Sequence, residues 1–248
     1  FFFQAEDGIR DHCVTGVQTC ALPIFVSSYY RIKSAGFIKS HRKGDTGVGH
    51  TFEQELGLIE NSISGPDIDG KELKAARKGA GGKQTLFTKE GEWKMPQLQF
   101  IETFGFPHTK HKGEISAQST VTKTKNNRGF WIYACDEYVS IMNQNVEIVR
   151  WDWNSLIQQF AHKFPACIKV YADVKKYNGI EYFHYNEAYV YYSTNKNLFR
   201  KAIEDDVISI DLRLRTQYNE GKGVRNRGTA FRINHSDMDK LFVKEVLK

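Results

Sequence analysis

Pro66-Asp67-Ile68-Asp69-Gly70-Lys71-Glu72-Leu73-Lys74 is the stretch on which the reading of the fold turns. Gly65-Pro66-Asp67 breaks the chain, and residues 70–76 (GKELKAA) then read as a short strand. Side chains alternate along a strand, so Glu72 and Lys74 share one face while Leu73 points the other way, towards the core. Asp67, just upstream, is placed to bring its carboxylate beside Glu72. Two adjacent carboxylates are costly unless a cation neutralises them, and their hard oxygens suit Mg²⁺, which keeps several of its waters. Such an ion polarises a phosphate oxygen and acidifies a bound water; Lys74 can orient that water and offset charge on the pentacovalent centre. Together these residues supply what hydrolysis of a phosphodiester requires.

The combination carries more weight than its parts. At ~6% for each charged residue type, about one bare Glu-x-Lys is expected in a chain of this length. Glu92-Trp93-Lys94 is a second here, without a Pro-Asp at suitable distance. A Pro-Asp at a defined upstream spacing makes the full set rarer by roughly a few hundred-fold. The plainer alternative is an exposed turn followed by a charged strand edge. Nearby, Gly44-Asp-Thr-Gly-Val-Gly49-His50-Thr51 has the spacing of a nucleotide-phosphate loop. However, His50 stands where the lysine belongs, and Lys39–Lys43 is no buried strand. The better reading is that these glycines let the chain turn into a helix carrying Glu53, an acid placed to point back towards the carboxylate pair. His108 and His111 have metal-compatible spacing but lie among Thr and Lys with no acidic partner, which favours a phosphate-contacting loop. The tyrosine runs Tyr182–Tyr185 and Tyr189–Tyr192 read as sheet faces before they read as base-stacking platforms.

The 248 residues carry a net charge of +6. Residues 1–24 resemble the translation of a short-read sequencing adapter: FFFQAEDGIRD and VTGVQTCALPI match its two arms, with His12 and Cys13 where a sample index would fall. The native chain is therefore expected to start near Phe25, as one domain over 25–248. Cys13 and Cys20 are then no metal or disulfide site, and the apolar stretch ending at Phe25 is no signal peptide. The excluded segment holds Glu6, Asp7 and Asp11 against Arg10, so what remains is more basic still. Its cations cluster in His41-Arg42-Lys43, Lys110-His111-Lys112, Lys123-Thr124-Lys125 and Lys222–Arg227, which favours a polyanionic partner, nucleic acid first. Only Cys135 and Cys167 remain, which suits a reducing compartment, and no apolar run approaches the ~18–20 residues that span a bilayer. A cytoplasmic location is expected.

Along the chain, residues 28–40 and 51–59 read as helices and 84–89 as a strand, while 90–128 reads as loop-rich. Residues 130–134, 138–142 and 146–152 read as strands, and 153–163 as a helix. Residues 167–175 and 180–185 read as a hairpin with an Asn178-Gly179 turn. Residues 188–192 form a further strand, 195–205 a helix, 207–215 a half-buried strand, 219–227 a basic loop, 229–234 a closing strand and 236–240 a helical turn. The fold class is α/β, a mixed sheet flanked by helices.

These pieces in this order resemble the MvaI/BcnI family of restriction endonucleases, a monomeric branch related to the mismatch-repair nicking enzyme MutH. The resemblance rests on RKGDTGVGHTFE (42–53), PDIDGKELK (66–74), TLFTK (85–89), IDLRLR (210–215) and GTAFRIN (228–234). It implies a PD-(D/E)xK nuclease core, with Asp67 and Glu72 as Mg²⁺ ligands, Lys74 orienting the water and Glu53 supporting the metal site. It places Arg232 where the family presents side chains to bases, and an arginine there can bond a guanine edge bidentately. Lys43, Lys222, Arg225 and Arg227 are candidates for DNA contacts. Some members carry histidines and an acid just before the last block, whereas this chain has Arg225-Asn226-Arg227, so the resemblance implies a CC-N-GG type of target without carrying over the family's readout at these residues. The implied partners are double-stranded DNA and, separately, a protecting methyltransferase. A partner-activated nickase and an inert DNA-binding protein are the alternatives.

Overall fold

The computed structural model describes residues 21–58, 70–79, 81–193 and 196–247. One sheet has the order β1 (Ile38–Lys39), β11 (Ile180–Ser193), β10 (Ala166–Tyr177), β2 (Glu72–Arg77), with β15 (Phe242–Val246) pairing the far half of β11. Strands β10 and β11 form a long hairpin whose turn residues Asn178 and Gly179 both have positive φ, 48° and 75°, the conformation an Asn-Gly turn is chosen for. Next to the hairpin, β2 runs parallel to β10, with Glu72 opposite Cys167, Leu73 opposite Ile168 and Lys74 opposite Lys169. Helices α1 (Ala21–Ser34) and α2 (Gly47–Glu55) supply Phe25, Tyr29, Ile32, Val48 and Phe52 to a small core with Leu73, Ile168, Val170, Phe183 and Tyr185.

A second sheet has the order β3 (Lys83–Thr88), β14 (Ala230–Asn234), β12 (Ile208–Gln217), β6 (Ile115–Val121), β5 (Phe106–Pro107), with β13 (Lys222–Asn226) on the end of β12. A third runs β4 (Glu92–Trp93), β9 (Val146–Asp152), β8 (Tyr138–Asn143), β7 (Phe130–Ala134). Both contribute to a larger core with α3 (Gln97–Phe104), α4 (Trp153–Lys163) and α5 (Lys196–Glu204). Helix α4 starts where Asp152 accepts a hydrogen bond from Ser155 N–H at 2.8 Å, a side-chain cap of an otherwise orphan donor. It buries Trp153, Leu156 and Phe160 at the spacing of one helical face. Phe160 lies at the centre of an aromatic group with Phe87, Phe164, Phe199 and Phe242.

The mixed sheet with flanking helices is as expected; several elements are not where pattern alone put them. Helix α1 begins at Ala21 rather than 28, and it ends at Ser34 before the two-residue β1. Helix α2 spans Gly47–Glu55, so it starts inside the glycine run. Residues 90–128 hold α3 and β6 rather than loop. In strand β6 (ISAQSTV), Ile115, Ala117 and Val121 pack on the core, but the small Ala117 and the polar Ser119 share that face, which hides its alternation. The basic stretch 219–227 contains β13, and the expected closing strand lies inside its sheet, between β3 and β12. The separate strand at 188–192 is the continuation of β11 past Asn186, the extra residue where the register with β10 shifts between Tyr171 and Ala172.

Phe160→Ala removes the ring that joins α4 to β3, α5 and β15. It should cost about 3–5 kcal/mol, read from the urea unfolding midpoint at unchanged m-value; a loss under about 1 kcal/mol would show that this aromatic group closes without it.

Candidate active site

Strand β2 is the edge of its sheet, and its alternation is as anticipated. Leu73 is buried in the small core, while Glu72 and Lys74 occupy the opposite face beside Cys167. Glu72 is 3% exposed, and a carboxylate so buried needs partners. Lys74 Nζ donates to its Oε1. Lys163 Nζ, from the last turn of α4, forms an ion pair with Oε2 at 2.8 Å. Next to them the Cys167 thiol is pushed up to about 12 by burial, so it stays protonated and inert. Cys135 and Cys167 are both free.

Lys74 opens onto a cleft of about 900 Å³. Lys39, His41, Arg42 and Lys43 line one side; Arg77, Lys83 and His235 also face it. The glycine-rich loop is pinned to β2 by Arg77, whose guanidinium donates to the carbonyls of Asp45 (3.0 Å) and Gly44 (2.9 Å) and pairs with Glu181 at 2.6 Å. At Gly47 a Cβ would lie 2.5 Å from the Arg42 carbonyl oxygen, so only glycine permits this close approach. The loop's carbonyls are thus turned inward onto Arg77, while Lys43 is exposed on the cleft wall. That is not a phosphate cradle following a buried strand, since β1 has two residues and neither is buried.

Asp67 lies outside the described residues. Glu53 is half-buried on α2, the helix that packs on β2; among the described residues no ion pair joins it to Lys74. Among those residues, too, no three His, Cys, Asp or Glu side chains gather as a metal-binding group.

Arg232 lies on β14, its guanidinium donating to Asp211 Oδ2 and the Lys83 carbonyl, each at 2.7 Å. Lys222, Arg225 and Arg227 are exposed on and just after β13. That hairpin is anchored from within. Glu114 accepts from the N–H groups of Tyr218 (3.0 Å) and Asn219 (2.8 Å), and Arg213 donates to the carbonyls of Arg227 and Gly228. His108 and His111 stack edge-on, ring centroids 4.6 Å apart, and His108 Nδ1 accepts from the backbone of Lys110 and His111. Of the tyrosines, Tyr185 and Tyr191 are core residues.

Lys163, Lys169, Arg77 and His235 were not singled out from sequence. Lys163, Lys169 and His235 reach the site from distant segments with no local motif, and Arg77, at the end of β2, takes its partners Gly44, Asp45 and Glu181 from elsewhere in the chain. The one readable sign was Lys169, a lysine in the otherwise apolar run Ala166–Val170.

A search among curated proteins returned no match. Solved structures share the fold, among them two of MvaI. One, "Restriction endonuclease MvaI-cognate DNA substrate complex", has a TM-score of 0.76 at 24% identity, covering 92% of this chain and 98% of that one. The other, "Restriction endonuclease MvaI in the absence of DNA", has a TM-score of 0.54 at the same identity and coverage. The model of the MvaI/BcnI restriction endonuclease family matches residues 26–242, from the first helix to the last strand. With a fold and a family match that both span nearly all of the described chain, this protein belongs to the MvaI/BcnI restriction endonuclease family.

Proposed function

We propose that the chain is a Mg²⁺-dependent type II restriction endonuclease, hydrolysing phosphodiester bonds of double-stranded DNA at a short specific site. The observation that carries this is Glu72 and Lys74 side by side on an edge strand, with Lys74 opening onto a basic cleft. Family membership supports the nuclease class, and one of the two MvaI structures is a complex with its cognate DNA substrate. The working unit is residues 25–248, acting as a monomer in the cytoplasm, with a separate methyltransferase protecting host DNA.

The fit to Mg²⁺ rests on Glu72. It is a buried carboxylate, a hard oxygen donor whose two oxygens each face an ammonium group, Lys74 on Oε1 and Lys163 on Oε2. Glu72 and Asp67 would hold the ion, with Glu53 as support; bound there, it polarises a phosphate oxygen and acidifies a water. Lys74, with 35% of its side chain exposed, reaches the cleft, where its ammonium orients the attacking water and offsets charge gathering on phosphorus. Lys163, more deeply set at 22%, keeps the buried carboxylate compensated from behind. Lys43, Lys222, Arg225 and Arg227 supply phosphate contacts, and Arg232 reads a base edge.

Lys74→Ala should lower plasmid cleavage in Mg²⁺ by roughly 10²–10³-fold and leave duplex binding in Ca²⁺ largely intact. Discrete linear fragments from the wild type would give the site, whereas nicked circles alone would replace the reading by a partner-activated nickase. Loss of binding together with cleavage would make Lys74 structural.

Arg232→Ala should weaken binding to the cleaved site by about 1–3 kcal/mol. An equal loss on random-sequence duplex would show that it reads no base.

A further inference from the structure

Lys169 is fully buried on β10, yet no ion pair neutralises it among the described residues. Its Nζ lies 2.7 Å from His235 Nδ1. An ammonium has donors only, so Nδ1 must accept and the ring proton is left on Nε2. His235 stands on the wall of the cleft that holds Lys74, and among the described residues nothing hydrogen-bonds its Nε2. We propose that His235 presents a fixed, neutral Nε2–H to a DNA phosphate in this cleft, with Lys169 as the positioning residue that holds the ring in that tautomer. This rests on the nuclease reading above.

Folding does not account for Lys169. A buried ammonium without a carboxylate costs stability. Burial lowers its pKa from 10.5 to about 8. The folded chain therefore binds fewer protons than the unfolded chain between those values, and stability rises with pH across that window; at neutral pH the penalty is present in full. Burial, then Lys169 and Arg232, lowers His235 from 6.5 to about 4, so the ring is uncharged at neutral pH. The charges around the pair are Arg232 on β14, Lys244 on β15 and Asp239 in the turn between them, with Lys74 and Lys83 across the cleft. Cations outnumber the single carboxylate, and none of these is within ion-pair distance of Lys169.

A neutral donor has a signature that a cationic phosphate contact lacks: its removal weakens binding without changing the salt slope, because no counterion is released. The test uses the full chain, duplex binding in Ca²⁺ and cleavage in Mg²⁺. His235→Leu should lower both by about tenfold or more at constant salt slope, and His235→Gln, whose amide N–H replaces Nε2–H, should restore most of the loss. Lys169→Met should melt at the same or a higher temperature at neutral pH. It should also acquire a binding pH dependence at a midpoint above the wild type's yet below the ordinary histidine value, because burial and Arg232 still act on the ring, with binding tightening as pH falls through it; the double variant with His235→Gln should lose that dependence. Three outcomes would overturn the proposal. These are wild-type binding and cutting by His235→Leu, a binding pH profile of Lys169→Met that is the same as the wild type's, or a lowered melting temperature for Lys169→Met. A wild type that neither binds nor cuts any duplex would instead sink the nuclease reading itself.

Discussion

The buried carboxylate of Glu72 is the constraint around which the rest of the molecule is arranged. Taking a carboxylate out of water costs several kcal/mol unless it is compensated at close range. Here the compensation comes from two directions: Lys74 two residues along the same strand, and Lys163 at the end of α4. The first is guaranteed by strand alternation. The second depends on where α4 lies, which the aromatic group around Phe160 decides. Leu73, between Glu72 and Lys74, is buried in the other core with α1 and α2. The site thus sits on the seam between two hydrophobic cores, and each core fixes one of its charges.

That arrangement explains what the sequence disclosed. Alternation along Glu72-Leu73-Lys74 is a local rule, and it puts the acid and the lysine on one face from sequence alone. The Asn178-Gly179 hairpin was equally legible, because positive φ at two consecutive positions admits few residue pairs. Helix α4 was readable to the residue, since its cap, its apolar face and its basic last turn all agree. The resemblance to a known family rested on ordered blocks, and it held across the whole match at 26–242.

The rest was hidden for a common reason. Strand β6 lies between β12 and β5, and the apolar Ile115, Ala117 and Val121 of its core face are interrupted by Ser119, so its serines, threonine and glutamine read as loop. Strand β13 is Lys222-Gly-Val-Arg-Asn, a composition typical of a turn; it is a strand because β12 is long enough to pair it. The same holds for side chains. Arg77 matters because the loop at 44–45 folds back on it, and Lys163 because α4 ends beside β2. Neither fact has a counterpart within ten residues of either position.

The two kinds of cation on the second sheet follow from the same contrast between paired and unpaired charge. Arg232 is held by Asp211 and by the Lys83 carbonyl, so its plane is set before any ligand arrives. A guanidinium fixed in this way loses little side-chain entropy on forming a bidentate bond, but its carboxylate partner already neutralises it, so it adds little to long-range attraction. Arg225 and Arg227 are exposed near Lys222, whose one carboxylate neighbour, Glu220, is 3.5 Å away at the surface. Such charges act through the field and through counterion release, whatever the sequence they meet. Under the proposed function, affinity would therefore belong to the hairpin and discrimination to the strand beside it. The replacement of family histidines by Arg225-Asn226-Arg227 would then alter how strongly DNA is held more directly than which bases are chosen.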